Sequence, residues 1–316
     1  MKTSPEVASI GTLAVDYFGI LEEMPALDDK TMAVGYEVHP GGVAGNVITQ
    51  IARLGVSTGW MGKIGDDGTG RILMDEFRKE GIDNRGAEVI PGKNSMFTWI
   101  MIDRSGHRTI TMFPNVLNEF TGEDVREKHR DLITNAEVLM AEACVLPLEP
   151  DIAAMEIARE SQTTVVFDLD VTPSGVELMK MGSRADLDRA IALTDVFIPC
   201  KAAATELLGT DDIVGNAHRL LDLGPSTVAV TLGEQGCIVL TREERHVVPG
   251  FAVDVVDSTG AGDAFHGGFV YGLLKGYPLA ETARFANACG ALNCRAIGAR
   301  ASAPLKDVES LLQSRP

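Results

Sequence analysis

The segment Asp257-Ser258-Thr259-Gly260-Ala261-Gly262-Asp263-Ala264-Phe265-His266 holds the residues whose types and spacing best fit chemistry. Gly260, Ala261 and Gly262 carry little or no side chain, and a helical run to Leu274 follows, stopped by Gly276 and Pro278. Backbone N–H groups at such a helix start can approach an anion closely, and the helix dipole adds partial positive charge. A strand-like run, Phe251 to Val256, precedes it, so the glycines are expected at a strand-to-helix turn. Asp263 would repel an anion there unless it takes a proton from the group that attacks it. An anion hole beside a base is what phosphoryl transfer to a hydroxyl requires. Spacing alone leaves a second reading equally open, in which Asp263 is an early-helix residue favoured by the dipole. No G-K-[ST] follows, so this is not a Walker A loop. Phe265 stands where the dinucleotide fingerprint needs its third glycine.

The elements that must position this segment alternate along the second half. Glu137 to Ala141, Thr164 to Phe167, Asp195 to Ile198 and Thr227 to Leu232 are short apolar runs separated by helical patterns. Runs without in/out alternation predict a mostly parallel sheet with helices on both faces. Ligands of such sheets bind at the C-terminal strand ends. Two regions break the pattern. Thr12 to His39 reads as extended, and Met96 to Phe113 reads as a β-hairpin turning at Asp103-Arg104-Ser105-Gly106. We expect an α/β body from residues 1–11, 41–92 and 116–316, and a small β-sheet from 12–40 and 93–115.

Composition narrows the partners. The 316 residues include 28 Lys+Arg and 45 Asp+Glu, a net charge of −17, with 45% apolar and 23% charged residues. That is globular composition, and its acidity argues against nucleic acid as the main partner. No apolar run approaches a membrane span or a secretory signal, and Cys144, Cys200, Cys237, Cys289 and Cys294 are scattered. A cytoplasmic protein with reduced thiols is expected.

The stretch Asp257 to Gly268 resembles the C-terminal signature of the ribokinase-like (PfkB) carbohydrate kinases, D-T-x-G-A-G-D. Gly41-Gly42-Val43-Ala44-Gly45-Asn46 and Gly62 to Gly70 resemble the N-terminal signature, and Gly11 and Asp16 the opening. Thr231-Leu232-Gly233-Glu234-Gln235-Gly236 is similar to the family's T-x-G-x-x-G nucleotide motif. The resemblance implies a ribokinase-like fold in which the small sheet is a lid over a sugar, and an ATP- and Mg²⁺-dependent transfer to a primary hydroxyl. It puts Asp263 at the catalytic base and the Gly260, Ala261 and Gly262 backbone at the anion hole. It puts Asp16, Gly41, Gly42 and Asn46 on the sugar, and Thr231, Gly233, Gly236 and Asn287 on the nucleotide. Asp257 and Thr259, with the loop Ala291 to Pro304, match a monovalent-cation site in many relatives, so K⁺ is a further expectation. Read locally, Asn46 would instead be a helix cap, Asp16 a loop residue and Asn287 a solvated helix residue.

One departure stands out. The family usually has P-N-x-x-E after its central strand, where this chain has Pro199-Cys200-Lys201-Ala202-Ala203. Asp168 and Asp170 are the candidates to hold hydrated Mg²⁺ instead, and Glu206 is a third acid one turn away. The missing Asn and Glu also motivate an alternative, a ligand-binding regulator or pseudokinase of the same fold. A subset related to sulfofructose kinases looks similar around Asp168 to Pro173 and Phe251 to Arg300, which bears on the substrate. Lys63 and Arg104 to Arg108 are candidates to meet an anionic sugar substituent. Trp99 and Phe97 on the lid are candidates for pairing with a second copy.

Overall fold

The computed structural model describes residues 4–314. In chain order its strands are β1 (Val7–Ile10), β2 (Ala14–Leu21), β3 (Gly35–Gly41), β4 (Thr58–Gly65), β5 (Asp83–Ile90), β6 (Phe97–Asp103) and β7 (Arg108–Phe113). There follow β8 (Val138–Ala143), β9 (Thr164–Leu169), β10 (Val196–Pro199), β11 (Thr227–Thr231), β12 (Cys237–Leu240) and β13 (Arg245–Val248). The body is a nine-stranded sheet in the order β13-β12-β11-β10-β9-β8-β1-β4-β5. It is parallel from β11 to β5, with β12 and β13 antiparallel at one edge. The central strands β1, β8 and β10 are buried along their whole length because helices cover both faces, as the unbroken apolar runs require.

Helices Val43–Arg53, Ala261–Leu274 and Leu279–Asn293 form one layer around Val47, Ile51, Phe269, Ala286 and Cys289. Gly268 lets two of them close, since a Cβ there would lie 2.9 Å from the Ala286 Cα. Phe269 is fully buried between them. Its truncation to Ala would cost about 3–5 kcal/mol and loosen the helix that carries Asp263. The opposite layer includes Leu148–Ser161 and Arg184–Ala192, packed over Phe167 and Phe197.

One expectation fails in this region. Phe251 to Val256 is not a strand, and Val255 and Val256 are 64% and 59% exposed. The Val256 and Asp257 N–H groups instead donate to Cys294 O at 2.8 and 3.2 Å. Helix Ala261–Leu274 is therefore entered from a loop tied to the end of helix Leu279–Asn293.

The small sheet has four strands in the order β3-β2-β6-β7. Asp16 pairs with His39 and with Thr98, and Thr98 with Met112, so the four share one row across the sheet. Tyr17 Oη lies 2.9 Å from Thr69 Oγ1, joining β2 to helix Gly68–Glu80 of the body. Phe97 stacks on Phe113 at 4.5 Å, while Trp99 and Ile110 stand half exposed. No helix among the described residues is long and apolar enough to cross a membrane.

Candidate active site

The turn from β3 into helix Val43–Arg53 is made of glycines for a steric reason. A Cβ at Gly41 would lie 2.1 Å from Asp16 Oδ2, and Gly42 adopts φ +85°. The backbone thus lies against the Asp16 carboxylate, which burial raises above its usual range while the Thr98 hydroxyl opposes that shift. Asn46 does not cap the helix. It sits buried in the first turn, and its Nδ2 donates to Asp263 Oδ2 at 2.7 Å. Two segments 217 residues apart in sequence meet in that bond.

Gly260 starts the catalytic helix at φ +76°, and a Cβ there would sit 2.3 Å from Ala299 O. The Ala261 N–H donates to Ser258 O at 3.2 Å, so that amide of the expected anion hole is already committed. Gly262 faces open space, with nothing within 4 Å of where a Cβ would stand. Burial raises Asp263 to about 6, the Asn46 donor opposes that rise and the Asp168 charge adds to it. The group is therefore mostly ionised at neutral pH.

His266 lies one turn further on, and a lone histidine carries no role that sequence alone assigns. Its Nδ1 lies 3.0 Å from Asp168 Oδ2, and both side chains are buried. The two atoms do not meet the geometry of a hydrogen bond, and the contact is an ion pair when His266 is protonated. Burial disfavours the imidazolium, but Asp168 outweighs it and the net shift is upward. Ligand atoms of Asp168, Asp263 and His266 lie within 4.8 Å of one another.

Acids crowd the ends of β8 and β9. Glu142 is fully buried, its Oε1 accepts from the Thr12 N–H, and burial pushes it up to about 8. Asp170 is pushed up to about 7 by the protein packed around it and by the Asp168 and Asp263 charges. Neither Asp168 oxygen has a hydrogen-bond donor. A hard divalent cation fits this donor set, since it would relieve the repulsion and take up the orphaned oxygens. Cys200, which stands where the resemblance expects an Asn, caps helix Lys201–Leu208, its Sγ accepting from the Ala203 N–H at 3.4 Å. Glu206 is engaged elsewhere: its carboxylate accepts from Ser174 N at 2.8 Å and Ser174 Oγ at 2.9 Å. Lys63 is likewise engaged, donating to Asp124 Oδ2 at 2.6 Å and to Glu119 O at 2.9 Å, and Arg104 pairs with Glu22.

Thr231 ends β11, and Gly233 and Gly236, at φ +63° and +96°, turn the chain into β12. Asn287 is buried, and its Nδ2 donates to Val248 O and Pro249 O at 3.1 Å each. It fastens helix Leu279–Asn293 to the end of β13 beside this turn. Asp257 Oδ1 accepts from the Thr259 N–H and Oδ2 from the Gly298 N–H, both at 2.9 Å, which joins the two segments of the expected cation loop. Arg300, also given no role from sequence, donates from Nε to Asn46 Oδ1 at 2.9 Å and from Nη2 to Gly41 O at 2.8 Å.

A parallel sheet whose strand ends meet a glycine-started helix, a partnered carboxylate and a second small sheet is the layout of a phosphotransferase acting on a small alcohol. The family described as pfkB family carbohydrate kinase matches residues 4–306, and the chain belongs to it. An ATP-dependent ribose-1-phosphate kinase of Halopiger xanaduensis is 31% identical over 98% of both chains. An uncharacterized sugar kinase of Archaeoglobus fulgidus is also 31% identical, over 80% of this chain and 98% of its own. The fold is ribokinase-like. The ribokinase of Arabidopsis thaliana, solved with ribose and ATP, superposes with a TM-score of 0.86 at 20% identity, covering 98% of this chain and 99% of that one.

Proposed function

We propose that this carbohydrate kinase transfers the γ-phosphoryl group of ATP to a primary hydroxyl of a sugar or sugar derivative, with Asp263 as general base. The observation that carries the reading is the 2.7 Å bond from Asn46 Nδ2 to Asp263 Oδ2, which joins the Gly41–Asn46 loop to the start of the catalytic helix. Asp16, Asn46 and the Gly41-Gly42 backbone present acceptors and donors to hydroxyl groups. Asp263 accepts the proton of the attacking hydroxyl while Asn46 holds its second oxygen. The open face of Gly262 leaves room for a phosphoryl group at the helix start. Closure of the small sheet over the sugar excludes water as a competing acceptor.

Bound Mg²⁺ supplies charge neutralisation and orientation of the phosphates. Asp168 and Asp170 are the residues that would hold it, through water as needed. Thr231, Gly233 and Gly236 flank the nucleotide, and Asp257, Thr259 and the Gly298 loop hold a monovalent cation.

The test is ATP turnover with neutral pentoses and hexoses, sugar phosphates and a sulfonated ketohexose, each with K⁺ or Na⁺ as the salt. At least one sugar should be phosphorylated on a primary hydroxyl, and its analogue lacking that hydroxyl should be inert. Turnover of none, or transfer to a secondary hydroxyl, would overturn the reading.

A further inference from the structure

We propose that Arg300 is a positioning residue for the transfer reaction: it sets the orientation of the Asn46 amide and, through it, holds the Asp263 carboxylate in place. The inference rests on the reading of Asp263 as the base.

The argument is one of donors and acceptors. An asparagine amide has an acceptor end and a donor end of nearly equal shape, so its neighbours decide which way it faces. A guanidinium has only donors. Because Arg300 Nε donates to Asn46 Oδ1 at 2.9 Å, the oxygen must face Arg300. The Nδ2 donor is thereby turned toward Asp263 Oδ2, 2.7 Å away. The flipped amide would set its oxygen against a carboxylate oxygen and its N–H groups against a guanidinium, losing both bonds.

Arg300 is also placed with care. Its Nη2 donates to Gly41 O at 2.8 Å, so the same fork fixes the backbone that lies against Asp16. Gly45 makes room for it, since a Cβ there would lie 2.3 Å from Nη2. The loop that carries Arg300 is clamped from behind. Arg53 Nη1 donates to Arg300 O at 2.8 Å and to Ser302 O at 2.9 Å. Glu80 grips Arg53 in turn with two bonds, to Nε at 3.0 Å and to Nη2 at 2.7 Å. A chain of directed bonds thus runs from Glu80 through Arg53, the 300–302 backbone, Arg300 and Asn46 to Asp263. Arg300 forms no ion pair with a carboxylate among the described residues, although such pairing is the usual way to offset burial of a charge. Its hydrogen bonds go to the sugar loop instead.

The test is a kinetic double-mutant cycle. With a turned-over sugar, Arg300→Met should lower kcat by about tenfold to 10²-fold, the scale of a misplaced reacting group, and leave KM for ATP unchanged. In Arg300→Ala, which leaves the space of the side chain open, guanidinium ion at millimolar concentration should restore part of the loss. In an Asn46→Ala background the same Arg300→Met change should have almost no further effect on kcat, because the amide through which it acts is gone. Equal kcat losses in both backgrounds, or a raised sugar KM with unchanged kcat, would overturn the relay and leave Arg300 as an anchor for Gly41. If Arg300→Met does not fold, Arg300→Lys, which keeps the charge but cannot make both bonds, enters the same cycle with the same outcomes. Asp263→Asn, measured alongside, separates the two ideas. Near-native kcat there removes the base itself, whereas a large loss there with no effect of Arg300→Met removes only the relay.

Discussion

The carboxylates at the two sides of the active cleft live under opposite conditions. On the side of the catalytic helix, Asp263 receives the Asn46 amide, and Asp257 receives two backbone N–H groups. At the ends of β8 and β9, Glu142 has one oxygen without a donor and Asp168 has none for either, and in helix Leu148–Ser161 Asp151 is fully buried with both oxygens unpartnered. Donors that cannot accept favour the charged form, while burial without donors favours the proton or calls for a cation. The first group is therefore built to stay ionised and act. In the second, burial raises Glu142 and Asp151 above the usual carboxylate range, while Asp168 faces His266 Nδ1 at 3.0 Å. Asp263, at about 6, sits near the boundary because burial raises it, the Asn46 donor holds it down and the Asp168 charge adds to the rise.

The largest test of this division is Asp263→Asn. The variant keeps the shape but cannot take the proton, so kcat should fall by about 10²–10⁴-fold, with nucleotide affinity unchanged or slightly tighter. Steady-state kinetics and nucleotide binding read both numbers. A residue favoured only by the helix dipole would tolerate Asn, with kcat barely moved and stability changed by about 1 kcal/mol at most.

A smaller effect sharpens the other side. Asp170→Asn should raise the Mg²⁺ concentration for half-maximal rate severalfold, and Asp168→Asn should do the same. Glu206→Gln should leave the Mg²⁺ titration in place, because that acid already caps Ser174. If Glu206→Gln moves the titration and the two aspartates do not, the assignment of the metal-holding acids is reversed.

Chain-local features were legible in the sequence. The Gly260–Asp263 turn and helix, the alternating body and the hairpin of the small sheet could all be read, because glycine, turn and apolar patterns act over a few residues. What depended on distant neighbours was not. Phe251 to Val256 has a strand's composition, but the Val256 N–H donates to Cys294 O instead. Glu142 lies just past the apolar run Glu137 to Ala141, yet β8 continues through it and takes the acid inside. Arg300 lies in a loop with partners 254 and 259 residues away, so no local pattern could assign it. His266 is a lone histidine whose meaning comes only from Asp168 across the layer. The resemblance put Asn46 on the sugar and Asp263 at the base, but the bond between them came only from the fold.

Glu142 gives the smallest and most specific break of the comparison. Its pKa is about 8 in the folded protein against 4.5 for an unperturbed glutamate. Below pH 4.5 both folded and unfolded chains hold the proton, and the stability contribution is fully present. As pH rises toward 8 the unfolded chain has already released its proton while the native one retains it, so unfolding becomes easier with every step. One such group gives at most about 1.4 kcal/mol per pH unit. Glu142→Gln cannot titrate, and its amide oxygen can still accept from the Thr12 N–H. The variant should therefore lose less thermal stability than the native chain between pH 5 and pH 8 without divalent cations, a relative gain of a few degrees in Tm. The absolute Tm at one pH is not the readout, because the new amide N–H brings its own unmet bond. The change in the difference between the two proteins across pH is. Parallel Tm curves would mean that Glu142 is charged in the folded state, and the acids at the ends of β8 and β9 would then form one ionised group with those of the catalytic helix.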